Sequence, residues 1–299
     1  MTEHVTDPAT EIFVAHRSLL FTVAYEMLGS AADAEDVLQE TWLRWVELDL
    51  GQVRDPRAYL VRMTTRQSLN RLRTLKRRKE SYVGPWLPEP LLTSPDVAED
   101  VELAESVSMA LMLVLETLSP TERAVFVLRE VFDVGYDEIA AAVDKTPAAV
   151  RQIAHRARQH VEARRPREAV SASRTRAALE SFRRTIETGD IQGLLDVLAP
   201  DVVLMADGGG VKPGGAVRPI VGADRVSRYI IGGTGKAKFT IGYRPTVVNG
   251  HPALALLVDG EIDGIMAIRL DDDRITGLYY VRNPHKLTHI DAENRLTLR

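Results

Sequence analysis

The chain has 299 residues, with 38 basic and 42 acidic side chains and a composition near the average of globular proteins. A chain of this length can form two or three small hydrophobic cores, so we expect a multidomain protein. It contains no cysteine, which excludes disulfides and thiolate metal sites. The first residues show no basic segment followed by a long apolar one, and no apolar run is long enough to span a bilayer, so we expect a cytoplasmic protein.

The basic side chains are clustered along the chain. Residues 66–79 contain no acidic side chain, and basic side chains dominate again in residues 145–167. The segment between them, residues 89–105, is acidic and rich in proline and serine, which is typical of a linker. These local clusters favour contact with nucleic acid, although the net charge of the whole chain is −4.

The first 80 residues are predicted to be helical throughout. Apolar side chains recur at three- and four-residue spacing from Phe13 onward, and the pair Gly29-Ser30 ends this first helix. A second helix begins near Ala31 with acidic residues in its first turn, where they suit the helix dipole. A third helix follows Pro56 and continues to about residue 79. This part of the chain is therefore predicted to be all-α.

A second helical region is predicted to begin near Val97 and to extend to about residue 166. Ser119 and Glu122 have the spacing of an N-cap and an N3 residue around a proline, which predicts a helix over residues 120–131. Two more helices, 136–143 and 147–161, are separated only by a three-residue turn that ends in Thr146, the expected N-cap of the second. This spacing favours a helix-turn-helix, and an ordinary helical hairpin with a basic surface is the alternative.

After residue 166 the pattern changes to helix and strand. An amphipathic helix is predicted at 175–188 and a short helix at 191–198. Strands are expected at 202–205, 238–248, 253–258, 264–270 and 275–281, separated by turns such as Asn249-Gly250. An α+β domain with a curved mixed sheet is therefore predicted for residues 172–290, followed by a tail at 291–299.

Several segments resemble one known family. AEDVLQETWLRWVE, DPRAYLVRMTTRQSLNRLR, LSPTERAVFVLREV, YDEIAAAV and TPAAVRQIAHRAR resemble regions 2 and 4 of extracytoplasmic-function sigma factors. WLPEP at residues 86–90 resembles the signature of the subgroup that carries a fused SnoaL-like domain. The landmarks of that domain are DGGG at 207–210 and NPHKL at 283–287, where the subgroup usually has NPDKL. The resemblance spans essentially the whole chain.

The resemblance implies a sigma factor that binds RNA polymerase core and directs promoter-specific transcription initiation. Residues 8–80 would form region 2, residues 81–106 a linker, residues 107–166 region 4, and residues 172–290 a cone-shaped SnoaL-like barrel. The implied polymerase contacts are the β′ clamp helices and the β flap. The fused domain would regulate the chain in cis, so that no separate anti-sigma factor is required.

Polymerase and promoter contacts are predicted on different helices. The second helix is predicted to bind polymerase through Asp36, Gln39, Glu40, Trp42 and Arg44. The third helix and the helix-turn-helix are predicted to bind DNA, because basic side chains follow a phosphate backbone and amides can reach base edges. These candidates are Arg62, Arg66, Gln67, Asn70, Arg71, Arg73, Lys76, Arg77, Thr146, Ala148, Ala149, Arg151, Gln152, His155, Arg156 and Arg158.

Regulatory contacts are predicted between the linker and the C-terminal domain. The resemblance implies Trp86, Leu87, Pro88, Glu89 and Pro90 on the linker, and Asp207, Gly208, Gly209, Gly210, Lys212, Asn283, Pro284, His285, Lys286 and Leu287 on the domain. Such contacts would either favour or oppose the separation of the two DNA-binding regions that polymerase requires.

Two other functions fit part of the sequence. A one-component, ligand-sensing regulator would use the helix-turn-helix but gives the first 80 residues no role. A SnoaL-fold enzyme fused to a DNA-binding module would draw on Asp201, Asp207, His251, Asp263 or Tyr279, which form no recognisable catalytic pattern in the sequence. We therefore expect no enzyme activity, no catalytic residue, no cofactor and no metal, and a pocket that binds a small-molecule ligand.

Overall fold

The computed structural model describes residues 7–93, 101–164, 170–212, 216–234, 240–290, 294 and 296–298, with side chains except at 76–80, 101 and 234. The chain divides into two compact units. The N-terminal unit comprises Met1–Arg78, Val114–Arg165 and Arg295–Arg299, and the C-terminal unit comprises Lys79–Leu113 and Pro166–Asn294. In the described ranges, no helix is both long enough and apolar enough to cross a membrane.

The N-terminal unit begins with three helices, α1 (Pro8–Leu28), α2 (Ala31–Trp45) and α3 (Pro56–Glu80). Gly29 ends α1 in the left-handed conformation (φ 70°), which costs a glycine no steric strain. Ser30 then caps α2, because its side chain accepts a hydrogen bond from the Asp33 N–H at 3.2 Å. Trp45 is fully buried, and its indole N–H donates to the carbonyl of Ala9 at 2.7 Å. The predicted all-α fold of this region is confirmed.

Among the described residues, five further helices lie between α3 and residue 165. Two short ones, α4 (Val101–Val107) and α5 (Met109–Leu115), lead into α6 (Pro120–Phe126), which continues as a π-helical turn over Val127–Val131. Helices α7 (Tyr136–Val143) and α8 (Pro147–Glu162) form the predicted helix-turn-helix. Ser119 and Glu122 form a capping box at the start of α6, as predicted. Thr146 caps α8 by accepting from the Ala149 N–H at 3.3 Å.

The C-terminal unit combines helices with a curved sheet. Its elements are α9 (Ala172–Thr188), α10 (Ile191–Val197), β1 (Leu198–Asp207), β2 (Ile220–Val221), α11 (Ala223–Thr234), β3 (Ile241–Val248), β4 (His251–Val258), β5 (Glu261–Asp271) and β6 (Arg274–Val281). The strand order is β2-β1-β6-β5-β4-β3, with β1 and β6 parallel and the other neighbours antiparallel. The α+β prediction is confirmed, whereas α11 and β2 were not predicted.

The sheet is apolar on both faces. Side chains on its inner face, such as Leu254, Met266 and Leu278, pack with Phe182 of α9. The alternate residues face outward and form two further clusters, Leu87 and Met109 with Ala267, Tyr279 and Val281, and Leu92 with Val248, Ala253, Ala255, Ile265 and Ile290. Residues 79–113 thus belong to the C-terminal unit, because part of this segment covers the outer face of the sheet. In the segment 81–106, predicted as a linker with helical character from about Val97, the described helix spans Val101–Val107, and Leu87 and Leu92 pack against the sheet.

Candidate nucleic-acid interface and linker site

One face of α2 presents most of the residues predicted to bind polymerase. Asp36, Gln39, Glu40 and Arg44 are exposed and Trp42 is half-buried. Leu43 was not predicted, yet its side chain is 50% exposed and lies one turn from Gln39 and Glu40. This face therefore combines charged side chains with an exposed apolar one, a combination suited to contact with another protein.

Helix α3 carries a basic stripe. Arg62, Arg66, Asn70 and Arg73 recur at three- and four-residue spacing, and all but the half-buried Arg62 are exposed. The guanidinium carbon of Arg62 lies 4.7 Å from the ring centre of Tyr59, which fixes its direction. Lys76 and Arg77 continue the helix, but their side chains lie outside the described residues.

Two predicted DNA-binding residues on α3 bind side chains of α2. Gln67 is buried, with 6% of its surface exposed, and with its amide oxygen toward Arg44 it accepts a hydrogen bond at 2.6 Å. Arg71 forms ion pairs with Asp33 at 2.6 Å and Asp36 at 2.7 Å. Neither side chain is available to a DNA base or phosphate in this structure.

Helix α8 has the form of a recognition helix. Its buried face consists of Val150, Ile153, Ala154, Ala157 and Val161, and the opposite face carries the predicted DNA contacts. Thr146, Ala148, Arg151, Gln152, His155 and Arg156 are exposed and Ala149 is half-buried. Arg158 is exposed as well, but its Nε and Nη2 donate to Glu130, at 3.0 and 2.6 Å, so it is less free than Arg156 to contact a phosphate.

The helices α1–α3 and α6–α8 contact each other directly. Arg66 donates to the carbonyl of Ala141 at 2.7 Å, joining the basic stripe of α3 to α7. Arg123 of α6 is buried and donates to the carbonyl of Glu26 in α1 at 2.9 Å. A cleft of about 500 Å³ remains between α3 and α7. The two helical groups are therefore in direct contact, and a cleft separates them over part of their facing surfaces.

Asp207, at the end of β1, binds the linker. The side chain of Asp207 is fully buried and accepts hydrogen bonds from the Tyr82 hydroxyl and from the Leu87 N–H, the latter at 2.9 Å. It also accepts from the ammonium group of Lys286 at 2.7 Å and from the Gly209 N–H at 3.1 Å. A buried carboxylate needs such partners in place of water, and the linker supplies two of them, the Tyr82 hydroxyl and the Leu87 N–H.

Lys286 extends this contact to the linker backbone and to an aromatic ring. Its ammonium donates to the carbonyl of Leu87 and lies 4.1 Å from the ring centre of Trp86. Asn283 donates to the Tyr82 hydroxyl at 2.7 Å. Burial, together with the neighbouring carboxylate of Asp207, raises the pKa of Tyr82 above its usual value. We call this set the linker clamp: Tyr82, Trp86 and Leu87 held by Asp207, Asn283 and Lys286.

Two glycines of the DGGG run, Gly209 and Gly210, are required by their positive φ and by the close approach of Asn283 and Val83. Gly209 has φ 60°, and a Cβ there would lie 2.4 Å from the Asn283 amide nitrogen. Gly210 has φ 74°, and its Cβ would lie 3.1 Å from the side chain of Val83. The side chain of His285 is exposed, so the histidine that replaces the aspartate of the NPDKL pattern points to solvent.

The remaining predicted regulatory residues fall into three groups. Pro88, Glu89 and Pro90 are buried within the linker. Gly208 lies beside Lys212 in the DGGG turn, and Pro284 and Leu287 belong to and follow the 3₁₀ turn Pro284–Lys286. Lys212 is the exception, because its ammonium binds Asp263 at 2.9 Å instead of the linker.

The turn between β3 and β4 forms a second anchor for the linker. The Asn249 side chain accepts from the Leu91 N–H at 3.0 Å and donates to the carbonyl of Val107 at 2.8 Å. The Gly250 N–H donates to the Thr93 hydroxyl at 3.0 Å. The sequence predicts only a turn at Asn249-Gly250, because the residues around it carry no signal of the distant linker residues that it binds.

Asp263 organises a polar cluster at one end of a cavity inside the C-terminal unit. Arg282 and the Tyr280 hydroxyl each donate to it at 2.8 Å, in addition to Lys212. Burial alone would raise the pKa of Asp263, but these hydrogen bonds outweigh it and lower the pKa to about 2. The cavity measures about 490 Å³ and is otherwise lined by apolar and tyrosine side chains.

The five candidate acids and bases do not come together. Asp207 and Tyr279 face the linker, Asp201 is exposed, and only Asp263 lines the cavity. His251 lies 3.1 Å from the carbonyl of Ala104, and burial lowers its pKa below the usual value. The arrangement of these residues therefore gives no support to an acid–base mechanism.

Comparison with known proteins identifies the class of the molecule. The family model Sigma-70 region 2 matches residues 12–78, and the model Sigma-70, region 4 matches residues 108–161. The helices α1–α3 and α6–α8 are thus the two promoter-binding regions of a sigma factor. A sigma factor binds RNA polymerase core and promoter DNA and directs promoter-specific transcription initiation, as the sequence predicted.

The relatives narrow the class to one family. The ECF RNA polymerase sigma factor SigJ of Mycobacterium tuberculosis (strain ATCC 25618 / H37Rv) is 37% identical over 95% of this chain and 94% of its own length. The probable ECF RNA polymerase sigma factor SigI of M. tuberculosis (strain CDC 1551 / Oshkosh) is 31% identical over 98% of this chain and 99% of its own. The crystal structure of M. tuberculosis SigJ matches with a TM-score of 0.74 and 34% identity, over 94% of this chain and 98% of that one. The chain belongs to the ECF sigma factors.

Proposed function

We propose that this sigma factor is regulated in cis, through the hold of the C-terminal unit on the linker between regions 2 and 4. The observation that carries the proposal is the buried carboxylate of Asp207, which binds both the linker and Lys286. The second anchor at Asn249 holds the linker at another point. In this proposal the fused unit takes the place of a separate anti-sigma factor.

The direct contact between regions 2 and 4 supports an inhibitory role, in which the C-terminal unit restrains the sigma factor. Promoter elements at −10 and −35 lie about 25 base pairs apart, which is about 85 Å of straight duplex. Arg66 and Ala141 are in hydrogen-bond contact, so the two regions cannot occupy both elements in this arrangement. Promoter recognition therefore requires the regions to separate.

The linker determines whether that separation is possible. If residues 79–113 were released and fully extended at about 3.3 Å each, they would reach about 115 Å, more than the promoter requires. The clamp and the second anchor instead hold residues 82–93 and the end of α4 on one folded unit. Release of the linker would thus allow regions 2 and 4 to separate and to bind both promoter elements.

The binding surfaces follow from the exposed faces of the helices. We propose that the α2 face around Gln39 binds the β′ clamp helices and that region 4 meets the β flap. The α3 stripe and the exposed face of α8 would bind the −10 and −35 elements, with basic side chains on phosphates. Since its polymerase and promoter partners are cytoplasmic, we place the protein there, and the dispersed acids and bases of the C-terminal unit support a role without catalysis.

Transcription with purified RNA polymerase core tests the proposal directly. Tyr82→Phe removes the hydroxyl that binds Asp207 and Asn283, and lies on the linker, so the fold of the sheet is not at risk. Loss of these hydrogen bonds costs about 1–2 kcal/mol, which shifts the clamp equilibrium roughly 5- to 30-fold toward release. We expect more promoter-specific RNA at limiting sigma factor, and a larger effect when Trp86→Ala is added.

Thr188→Val is the matched control, because it also removes a hydroxyl from the C-terminal unit, but one that donates to the carbonyls of Arg184 and Thr185 in its own helix and lies outside both the clamp and the cavity lining. It should leave transcription and core affinity unchanged. Unaltered or reduced transcription by the Tyr82→Phe and Trp86→Ala variants, with intact core binding, would show that the clamp does not restrain the protein.

A further inference from the structure

We infer that the cavity inside the C-terminal unit is a regulatory site for an apolar ligand with one anionic head group, such as a medium-chain or aryl carboxylate. The inference rests on the proposed control of the linker, because it names the input to which the clamp responds. It is carried by the chemistry of the cavity wall and by the position of its two cations in the chain.

The size and lining of the cavity suit a small apolar molecule. Its volume of about 490 Å³ lies within the range of roughly 300–1,000 Å³ found for small-molecule sites. Most of the wall is aliphatic or aromatic, including Phe182, Ile230, Tyr243, Leu256 and Met266. An apolar ligand would bury its body against this wall and leave one end for the polar cluster.

At the polar end, two cations share one carboxylate. Asp263 remains ionised at neutral pH, because its pKa is lowered to about 2. Its carboxylate faces two cations, Lys212 at 2.9 Å and Arg282 at 2.8 Å. Among the described residues that line the cavity, the others are apolar or tyrosine. Lys212 keeps 33% of its side-chain surface accessible, so a ligand carboxylate at this end of the cavity would accept a charge-assisted hydrogen bond from it.

Both cations lie on the segments that form the linker clamp. Lys212 follows the DGGG run, and its backbone N–H donates to the carbonyl of Gly208 at 3.3 Å. Arg282 directly precedes Asn283 of the clamp, and its backbone N–H donates to the carbonyl of Asp207 at 2.7 Å. An anion in the cavity would compete with Asp263 for Lys212 and so displace the turn that carries Gly209 and Gly210. Because those glycines lie close to Asn283 and Val83, movement of the turn would shift Asn283 of the clamp and Val83 of the linker.

Binding to the full chain can be measured by calorimetry with decanoate and 4-phenylbutyrate as probes, and decanol and 4-phenylbutanol as their neutral counterparts. A charge-assisted hydrogen bond from Lys212 should favour each carboxylate over its alcohol by about tenfold or more. Lys212→Met should abolish this preference while leaving the alcohols unchanged, and Lys212→Arg should retain it. Equal affinity for carboxylates and alcohols, or no binding of any probe, would overturn the site.

Hydrogen exchange of residues 81–93, followed by mass spectrometry, tests the link to the clamp. We expect carboxylate binding to increase exchange in this segment of the wild type, whereas the Lys212→Met variant should show no increase. Binding without a change in exchange would contradict the coupling and leave the site standing. Transcription by the Tyr82→Phe variant needs no ligand, so failure of the ligand site and failure of linker control remain distinguishable.

Discussion

The strands of the C-terminal unit carry two buried carboxylates, Asp207 and Asp263, with 0% and 7% of their surfaces exposed. A buried charge is tolerated only when cations and hydrogen-bond donors replace its hydration. Asp207 obtains a donor from Lys286 and others from the linker, whereas Asp263 is paired within the folded sheet and the turn that follows β1. The two carboxylates therefore respond differently to release of the linker: Asp207 loses hydrogen-bond donors, whereas Asp263 keeps its own.

Asp263 should make the stability of the C-terminal unit depend on acid pH. Its pKa is lowered from 3.8 to about 2 on folding, so the unfolded chain binds its proton first as pH falls. This difference stabilises the fold by roughly 2 kcal/mol above pH 4, and the contribution is lost as pH falls toward 2. We expect the free energy of unfolding of the wild type to exceed that of Asp263→Asn at pH 5, and the gap to narrow toward pH 2. A gap independent of pH would contradict the ion-pair account.

Gly209→Ala should destabilise the clamp, because it forces φ 60° on alanine and brings its Cβ to 2.4 Å from the Asn283 amide. We expect a loss of about 1–3 kcal/mol in the free energy of unfolding, with faster exchange of linker amides. Gly232→Ala is the matched control, since it lies in α11 with no atom within 4 Å of the new Cβ, and should be neutral or stabilising. Equal effects of the two substitutions would argue against the close approach.

At the scale of elements, local signals predicted the helices well. The Gly29-Ser30 pair, the Ser119 capping box and the Thr146 cap each define a helix end in the structure. Helix α11 escaped prediction, because it ends in Gly-Gly and lies among turn-forming residues. Burial of Gln67 was equally unpredictable, since a helical repeat does not reveal which polar face packs against a neighbour.

One feature of the sequence could have predicted that the linker packs on the sheet. Strand β4 includes the continuous apolar run ALALLV at residues 253–258, where a sheet exposed on one face would alternate with polar side chains. Such a run requires a cover on both faces, and the linker supplies the outer one through Leu87 and Leu92. The partner of the Asn249-Gly250 turn had no such signal, because its contacts lie more than 140 positions away in the chain.

Helix α8 separates two kinds of DNA contact that can be measured independently. Arg156→Ala should weaken binding to all promoter fragments and reduce the slope of log affinity against log salt by about 1, as expected for a lost phosphate contact. Gln152→Ala should leave the slope unchanged and alter the preference at one −35 base pair by about 1–3 kcal/mol. Competition binding by the polymerase holoenzyme over a salt series checks both, and identical behaviour of the two variants would refute these assignments.

At the scale of the whole molecule, the proposed regulation consists of two linked conformational equilibria. In the proposed scheme, regions 2 and 4 either contact each other or separate, and the linker is either held by the C-terminal unit or released. We propose that a held linker favours contact, because its residues are part of the fold of that unit, where they cover an apolar sheet face. Polymerase core and promoter DNA bind only the separated regions in this scheme, so they draw the linker away from the clamp.

The distance between regions 2 and 4 tests this central claim most directly. The chain contains no cysteine, so Glu47→Cys and Lys145→Cys place one donor or acceptor dye in each region without background labelling. We expect strong energy transfer in the free protein, weaker transfer when Tyr82→Phe and Trp86→Ala are added, and its loss in the complex with core polymerase and promoter DNA. Strong transfer that persists in the promoter complex, or that does not respond to the linker variants, would contradict the account.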